Sequence, residues 1–150
     1  MKHLSVRNLQ RRYPVDSREA RKATGLLMDE LLKIEAYDLS ILFVNETRMA
    51  QLNTTHLHHE GATDIITFDY CTSARFHGEL IICPAVAGKH AQKYRANLGR
   101  ELARYIIHGV LHLRGFDDQT PAARRKMKRE ENRLLQKLAR RFPVDSLAHG

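Results

Sequence analysis

Residues 63–84 read TDIITFDYCTSARFHGELIICP, and this stretch decides the fold class. Two runs within it, 63–70 and 78–83, are rich in the β-branched and aromatic residues that favour strands. We therefore predict two neighbouring strands joined by a short connection. Pro84 suits the first turn of a helix, so a helix should follow the second strand directly.

The segments on either side continue the alternation of strands and helices. Towards the N-terminus the residue pattern predicts a strand over 2–9, a helix capped by Asp16 or Ser17, a strand over 39–44 and a short helix capped by Asn45. Towards the C-terminus it predicts a helical region over 85–113 with a break at 97–99, and a last helix that begins at Thr120-Pro121.

These elements predict an α+β fold in a single domain over residues 1–150. No long Gly-, Ser- or Pro-rich linker divides the chain, and no sustained repeat is present. We expect a small mixed sheet of about four strands packed against helices, with the helix that carries His108 in the centre. The tail after about residue 142 is expected to be loose.

Composition and charge narrow the function classes. The chain has 150 residues, 43% hydrophobic and 28% charged, which is typical of a globular protein. No apolar stretch of about 18 residues predicts a membrane span, and the first residues do not resemble an export signal, so we expect a cytoplasmic protein. The formal net charge is +8, which favours a polyanionic partner.

The chemistry-bearing motif is HGVLHLRGFDD at residues 108–118. His108 and His112, four residues apart, share one face of a helix, roughly 5.4 Å apart along its axis, and can meet one metal ion. Gly115 ends the helix and lets the chain turn back, so Asp118 or Asp117 is the expected third ligand. The alternative is a structural pair of hydrogen-bonded, partly buried histidines.

The residue after the first histidine narrows the chemistry further. Metalloprotease helices carry His-Glu-x-x-His with glutamate as the general base, whereas this chain has Gly109 at the glutamate position. The spacing therefore argues against a peptidase. Three protein ligands leave a metal position open for hydrolysis of a phosphodiester. Glycine also weakens a helix interior, which indicates a need for small size at this position.

The motif resembles the signature of the YbeY endoribonuclease family, the bacterial rRNA maturation factors. That signature is His-Gly-x-Leu-His-Leu-x-Gly-aromatic-Asp-His, and this chain departs from it only at Asp118, where the family has histidine. Further blocks of the family are matched in the same order, at 52–53, 63–68, 78–80 and 127–131.

The resemblance implies a metal-dependent, single-strand endoribonuclease that acts in rRNA maturation and ribosome quality control. His108, His112 and Asp118 would bind one zinc ion per chain, and a metal-activated water would attack the phosphodiester. Another divalent metal is the alternative, because two histidines and a carboxylate also suit iron, manganese or nickel. The alternative function is a non-catalytic, metal-stabilised assembly factor that binds RNA or the ribosome.

A second departure from the family concerns the RNA cleft. The family carries an arginine in a block that corresponds here to Leu57, so this cation is missing. Histidines 56, 58 and 59 lie nearby, and we select His59 as the catalytic acid–base candidate because it is nearest the strand. A solvated loop cluster is the alternative interpretation.

The last predicted helix is strongly basic. We select Arg124, Arg125 and Lys128 as RNA-binding candidates, because such residues neutralise phosphates. The alternative is a solvated helix face with no partner. The expected partners are RNA, in particular ribosomal RNA and ribosomal particles, and we expect neither a membrane nor DNA.

Overall fold

Four strands form one mixed sheet in a computed structural model that describes residues 1–57 and 64–149. The strands are β1 (Lys2–Asn8), β2 (Tyr37–Phe43), β3 (Ile65–Asp69) and β4 (Phe76–Ile82). Their order in the sheet is β1-β2-β4-β3, with β1, β2 and β4 parallel and β3 antiparallel to β4. The predicted strand pair β3 and β4 is therefore adjacent, and β3 lies at an edge.

In the described part of the chain, five α-helices connect and cover these strands. They are α1 (Ser17–Leu26), α2 (Glu46–Leu57), α3 (Pro84–Lys93), α4 (Leu98–Leu113) and α5 (Pro121–Arg141). Asp16 caps α1, which continues into a π-helical turn at Leu27–Leu31. Asn97 caps α4 and Thr120 caps α5, so the break expected at 97–99 separates two helices. The α+β prediction is confirmed.

Helix α4 lies at the centre of the core, where glycines allow it to approach the sheet closely. A Cβ on Gly109 would lie 2.6 Å from Leu80 Cδ2, and a Cβ on Gly78 would lie 2.6 Å from Leu113 Cδ1. These distances are far shorter than ordinary contacts. Position 109 therefore requires a small residue because α4 contacts β4 there.

The C-terminal tail differs from the expectation of a loose segment. A 3₁₀ turn at Val144–Leu147 buries Val144 and Leu147 in the main core. The backbone N–H of Asp16 donates to Leu147 O at 2.8 Å. Apolar burial and this hydrogen bond hold the tail against α1, so the prediction of a loose tail was wrong.

Among residues 1–57 and 64–149, the helix α2 covers part of the sheet face that is opposite α4. Helix α2 packs on one end of it through Met49, which contacts a cluster that includes Ile66 and Ile81. Helices therefore flank both faces. Among the described residues, no helix has the length and apolarity needed to cross a bilayer.

Candidate metal centre

Helix α4 places His108 and His112 side by side at the mouth of a cleft. Their Nε2 atoms are 3.0 Å apart and their ring centroids 4.6 Å apart. Asp118 Oδ2 lies 3.7 Å from each of the two Nε2 atoms. The structure therefore brings three donor atoms together, and Asp118 rather than Asp117 supplies the carboxylate.

The turn after α4 explains how Asp118 reaches the histidines. Gly115 has φ +97°, a left-handed conformation that glycine adopts without strain. The N–H of Gly115 donates to His112 O, and the N–H of Phe116 donates to Leu111 O, each at 3.0 Å. This is the hydrogen-bond pattern of a Schellman cap. It reverses the chain directly after the helix and returns Asp118 to the His112 end of α4.

The cap is held in place from α5. The Arg124 guanidinium donates from Nη1 to the backbone carbonyl of Asp118 at 3.3 Å. The ammonium of Lys126 lies over the Phe116 ring, 5.3 Å from its centroid. Both contacts come from the first turns of α5, so this helix fixes the loop that carries the third donor.

A buried carboxylate orients His108 from behind. His108 Nδ1 donates to Glu131 Oε2 at 2.7 Å, and Glu131 is only 7% exposed. A carboxylate can only accept, so the shared proton resides on Nδ1. Nε2 of a neutral His108 then carries the lone pair that faces His112 and Asp118. Histidines that bind metals typically donate their other N–H to such a carboxylate.

Glu131 is itself held by a row of charges. Arg104 Nη1 lies 3.7 Å from Glu131 Oε1, and Arg104 Nε lies 4.0 Å from Glu101 Oε1. His90 Nδ1 follows at 3.1 Å from Glu101 Oε2. The row runs across the surface shared by α3, α4 and α5, and it keeps the buried Glu131 carboxylate paired.

The local field at His108 favours positive charge. Burial alone lowers the pKa of the His108 imidazole, but the hydrogen bond and the charge of Glu131 outweigh it, with a further contribution from Asp118. The pKa of His108 therefore lies above its usual value. The surroundings that hold a proton on this ring also favour a bound cation.

The donor set fits a divalent ion. Donor atoms 2.0–2.2 Å from a tetrahedral ion lie about 3.3–3.6 Å apart. The observed separations of 3.0, 3.7 and 3.7 Å bracket that range. Both histidines are partly exposed to the cleft rather than enclosed in separate apolar pockets. Two imidazole nitrogens and one carboxylate oxygen form a set that suits zinc, iron or manganese.

The cleft beside the three donors has a volume of about 670 Å³. Helix α4 and the loop after it form one wall, and β3 with the residue before it forms the other. The lining residues are Asp64, Ile65, Ile66, Thr67, Asp69, His108, His112, Asp118 and Gln119. A substrate can therefore reach the donor atoms along β3.

The family model for endoribonuclease YbeY matches residues 5–139. The chain belongs to the YbeY family. The resemblance stated from the sequence is confirmed, and with it the expectation of a nuclease. Because the match begins within β1 and ends within the last turn of α5, the family covers nearly the whole described fold.

Individual relatives support this assignment. Endoribonuclease YbeY of Phocaeicola vulgatus is 38% identical over 98 residues, 65% of this chain and 71% of the relative. Endoribonuclease YbeY of Chlorobium luteolum is 32% identical over 137 residues, 91% of this chain and 98% of the relative. The solution structure of TM1509 from Thermotoga maritima superimposes with a TM-score of 0.67. It is 21% identical and covers 92% of this chain and 89% of that one, which establishes the shared fold.

The RNA-binding candidates lie on α5, outside the cleft. Arg124, Arg125 and Lys128 are exposed and line a groove of about 640 Å³. Of these three residues, Arg124 also contacts the loop that carries Asp118. His59 lies outside the described residues, so its selection as a catalytic candidate stays a prediction.

Glu131 is the site residue that sequence reasoning missed. It falls on the buried stripe of α5, between Met127 and Leu134. A carboxylate at a core-facing position of an amphipathic helix needs a buried partner. That placement is the signal that could have assigned Glu131 to the site before the structure.

Proposed function

We propose that this chain is a metal-dependent endoribonuclease that cleaves single-stranded RNA during rRNA maturation and ribosome quality control in the cytoplasm. The observation that carries the proposal is the convergence of His108, His112 and Asp118 at the mouth of a cleft, in a member of an endoribonuclease family. In this proposal the bound ion is zinc and the substrate is ribosomal RNA.

The protein's own residues prepare the site. His108, His112 and Asp118 would hold one divalent ion, with Glu131 fixing the ring orientation of His108. Such an ion supplies Lewis-acid chemistry, which polarises a phosphoryl oxygen and makes a nearby water more acidic. Ile65 and Ile66 of β3 line the opposite wall of the cleft. His59 stays our candidate for moving a proton.

The basic groove of α5 provides a path for phosphates to the cleft. Arg124 bridges the two regions, because its guanidinium contacts the carbonyl of the residue that supplies the third donor. Arg125 and Lys128 extend the positive charge away from the cleft along the same helix. Together they favour a substrate whose phosphates continue past the cleaved bond, which a polynucleotide offers and a mononucleotide does not.

Cleavage of an end-labelled single-stranded rRNA fragment by tag-free protein tests the proposal. We expect cleavage that chelator abolishes and added zinc restores, with loss of activity in His112→Ala and full activity in His3→Ala, an exposed histidine on β1. Cleavage that survives both the chelator and His112→Ala would refute metal dependence. RNA binding with no cleavage under any of these conditions would favour the assembly-factor alternative, which the leucine at position 57 also favours.

A further inference from the structure

A second cavity lies on the opposite face of the sheet from the metal cleft. Its volume is about 260 Å³, which is below the usual range for a drug-sized ligand and suits a single ring system. Leu42 and Leu52 are among its apolar lining residues. The lining also contains two aromatic residues and two charged residues, which are Phe68, Tyr70, Arg48 and Glu79.

Two parallel aromatic rings stand at this cavity. Phe68 and Tyr70 lie two residues apart along β3 and its end, so their side chains share one face of the sheet. Their ring planes differ by only 7°, with centroids 6.4 Å apart, and Tyr70 is 51% exposed. An exposed tyrosine ring beside an apolar hollow is a stacking surface for a planar heterocycle.

The charged side chains at the cavity, Glu79 and Arg48, have no hydrogen-bond or ion-pair partner for their charged groups among the described residues. Glu79 is the register partner of Phe68, so the carboxylate stands beside the ring on the same face. Within residues 1–57 and 64–149, the Glu79 carboxylate accepts no hydrogen bond and the Arg48 guanidinium has no ion-pair partner. Half-buried carboxylates normally find a donor, so Glu79 is available for one on a ligand.

The acceptor geometry of Glu79 selects among nucleobases. A carboxylate offers two oxygens that accept side by side. The Watson–Crick edge of guanine presents two adjacent donors, N1–H and the N2 amine, whereas adenine, cytosine and uracil each place an acceptor beside their donor. A carboxylate in this position therefore discriminates in favour of guanine.

Strand β3 connects this cavity with the metal centre. Alternate residues of a strand point to opposite faces, so Thr67 lines the metal cleft while Phe68 lines the second cavity. Because β3 is an edge strand, an extended polynucleotide can cross its edge and reach both faces. Arg48 at the rim and Arg7, the register partner of Leu42 on the same face, supply positive charge for its phosphates.

We propose that this cavity binds a guanine base of the single-stranded RNA whose backbone crosses the edge of β3 to the metal centre. The inference rests on the proposed function and adds the base preference of the same enzyme. Tyr70 stacks on the base, Glu79 accepts from its Watson–Crick edge, and Arg48 contacts an adjacent phosphate.

Binding without cleavage tests the inference. The probes are a labelled oligouridine with one central guanosine and the same strand with inosine, which lacks the N2 amine, titrated in chelator at fixed salt. We expect the wild type to bind the guanosine strand about 10-fold more tightly, the effect of losing one hydrogen bond to a charged group. Glu79→Gln should remove this difference.

The aromatic contribution is tested by a matched pair of variants at the exposed Tyr70. Tyr70→Ala should weaken binding of the guanosine strand about 5-fold or more, and Tyr70→Phe should bind like the wild type. Equal binding of the guanosine and inosine strands by the wild type would overturn the proposal, and this comparison needs no variant to fold. Unchanged affinity in Tyr70→Ala would overturn it as well.

The proposed endoribonuclease function is tested separately, by measuring cleavage of the same RNA with zinc in place of the chelator. If the guanosine preference depends on Tyr70 and Glu79 but no RNA is cleaved, the cavity proposal stands and the endoribonuclease proposal fails. If RNA is cleaved in a zinc-dependent manner without any preference for guanosine in binding, the endoribonuclease proposal stands and the cavity proposal fails.

Discussion

Glu131→Gln should weaken metal binding without unfolding the protein. The variant keeps the size of the side chain but replaces the charged acceptor of the 2.7 Å bond from His108 Nδ1 with a neutral one. Removing such a partner of a metal-binding histidine typically lowers metal affinity 10- to 100-fold, or about 1.4–2.7 kcal/mol. Because the bond is short, charge-assisted and buried, we expect a loss towards the upper end of that range.

Competition with a chromogenic chelator measures this loss, and the visible absorption of the cobalt-substituted protein reports the geometry around the ion. Glu130→Gln is the matched control, because Glu130 pairs with Arg133 and has no contact with His108. The control should bind zinc like the wild type. The reasoning would be refuted if Glu131→Gln matched the wild type in zinc affinity, or if both variants lost affinity equally.

Three further predictions concern stability and RNA binding. Gly99→Ala should lower the free energy of unfolding by about 1–3 kcal/mol in urea titrations, because its Cβ would lie 2.5 Å from the carbonyl oxygen of Asp145. The control Gly25→Ala should raise the free energy of unfolding by about 0.5–1 kcal/mol, because its Cβ would have no neighbour nearer than 4.0 Å. Asp16→Ala should remove the cap of α1 and lower the same quantity by about 0.5–2 kcal/mol at neutral pH. The hydrogen bond from Glu19 N, followed by that from His149, holds the pKa of Asp16 below its usual value. This contribution is therefore present above the usual carboxyl pKa and is lost as the pH falls through the folded pKa, so the wild-type advantage should vanish in acid. Replacing Arg124, Arg125 and Lys128 together by glutamine should reduce the slope of log affinity against log salt for single-stranded RNA by about 2. An unchanged slope would exclude these three side chains from phosphate contact.

The elements of the fold could be predicted where local chemistry decides them. Asn97 and Thr120 cap helices where the sequence placed breaks, because side-chain caps act within three residues. The short distance in sequence between the two strands of residues 63–83 likewise indicated their pairing. The order of the sheet was not predictable in this way, because β2 pairs with β4 across a long connection.

The candidate metal centre could likewise be predicted only in part. The spacing of His108 and His112 indicated the pair, since four residues are about one helical turn. The sequence left Asp117 and Asp118 open, and only the hydrogen bonds of the cap at Gly115 decide which one returns to the helix. The hydrogen bond between Glu131 and His108 could not be predicted from either residue's own segment, because the two residues are 23 positions apart and the bond depends on how α4 packs on α5.

The docked tail shows a similar limit. Phe142-Pro143 marks the end of α5, and a short segment after a proline is commonly frayed. Its burial depends on Gly99, whose missing side chain leaves room for the backbone of Asp145 and Val144. That contact joins two segments far apart in sequence, and neither segment indicates it alone.

Metal content of tag-free protein tests the central claim most directly, with Asp118→Asn and Asp117→Asn measured beside the wild type. Both replacements keep the shape of the side chain. In Asp117→Asn the amide oxygen can still accept the backbone N–H of Gln119, the bond that the Asp117 carboxylate accepts now. Elemental mass spectrometry should find about one divalent ion per chain in the wild type and in Asp117→Asn, and much less in Asp118→Asn. Equal metal content in Asp118→Asn and the wild type, or no metal uptake by any of the three from zinc-containing buffer, would contradict the account.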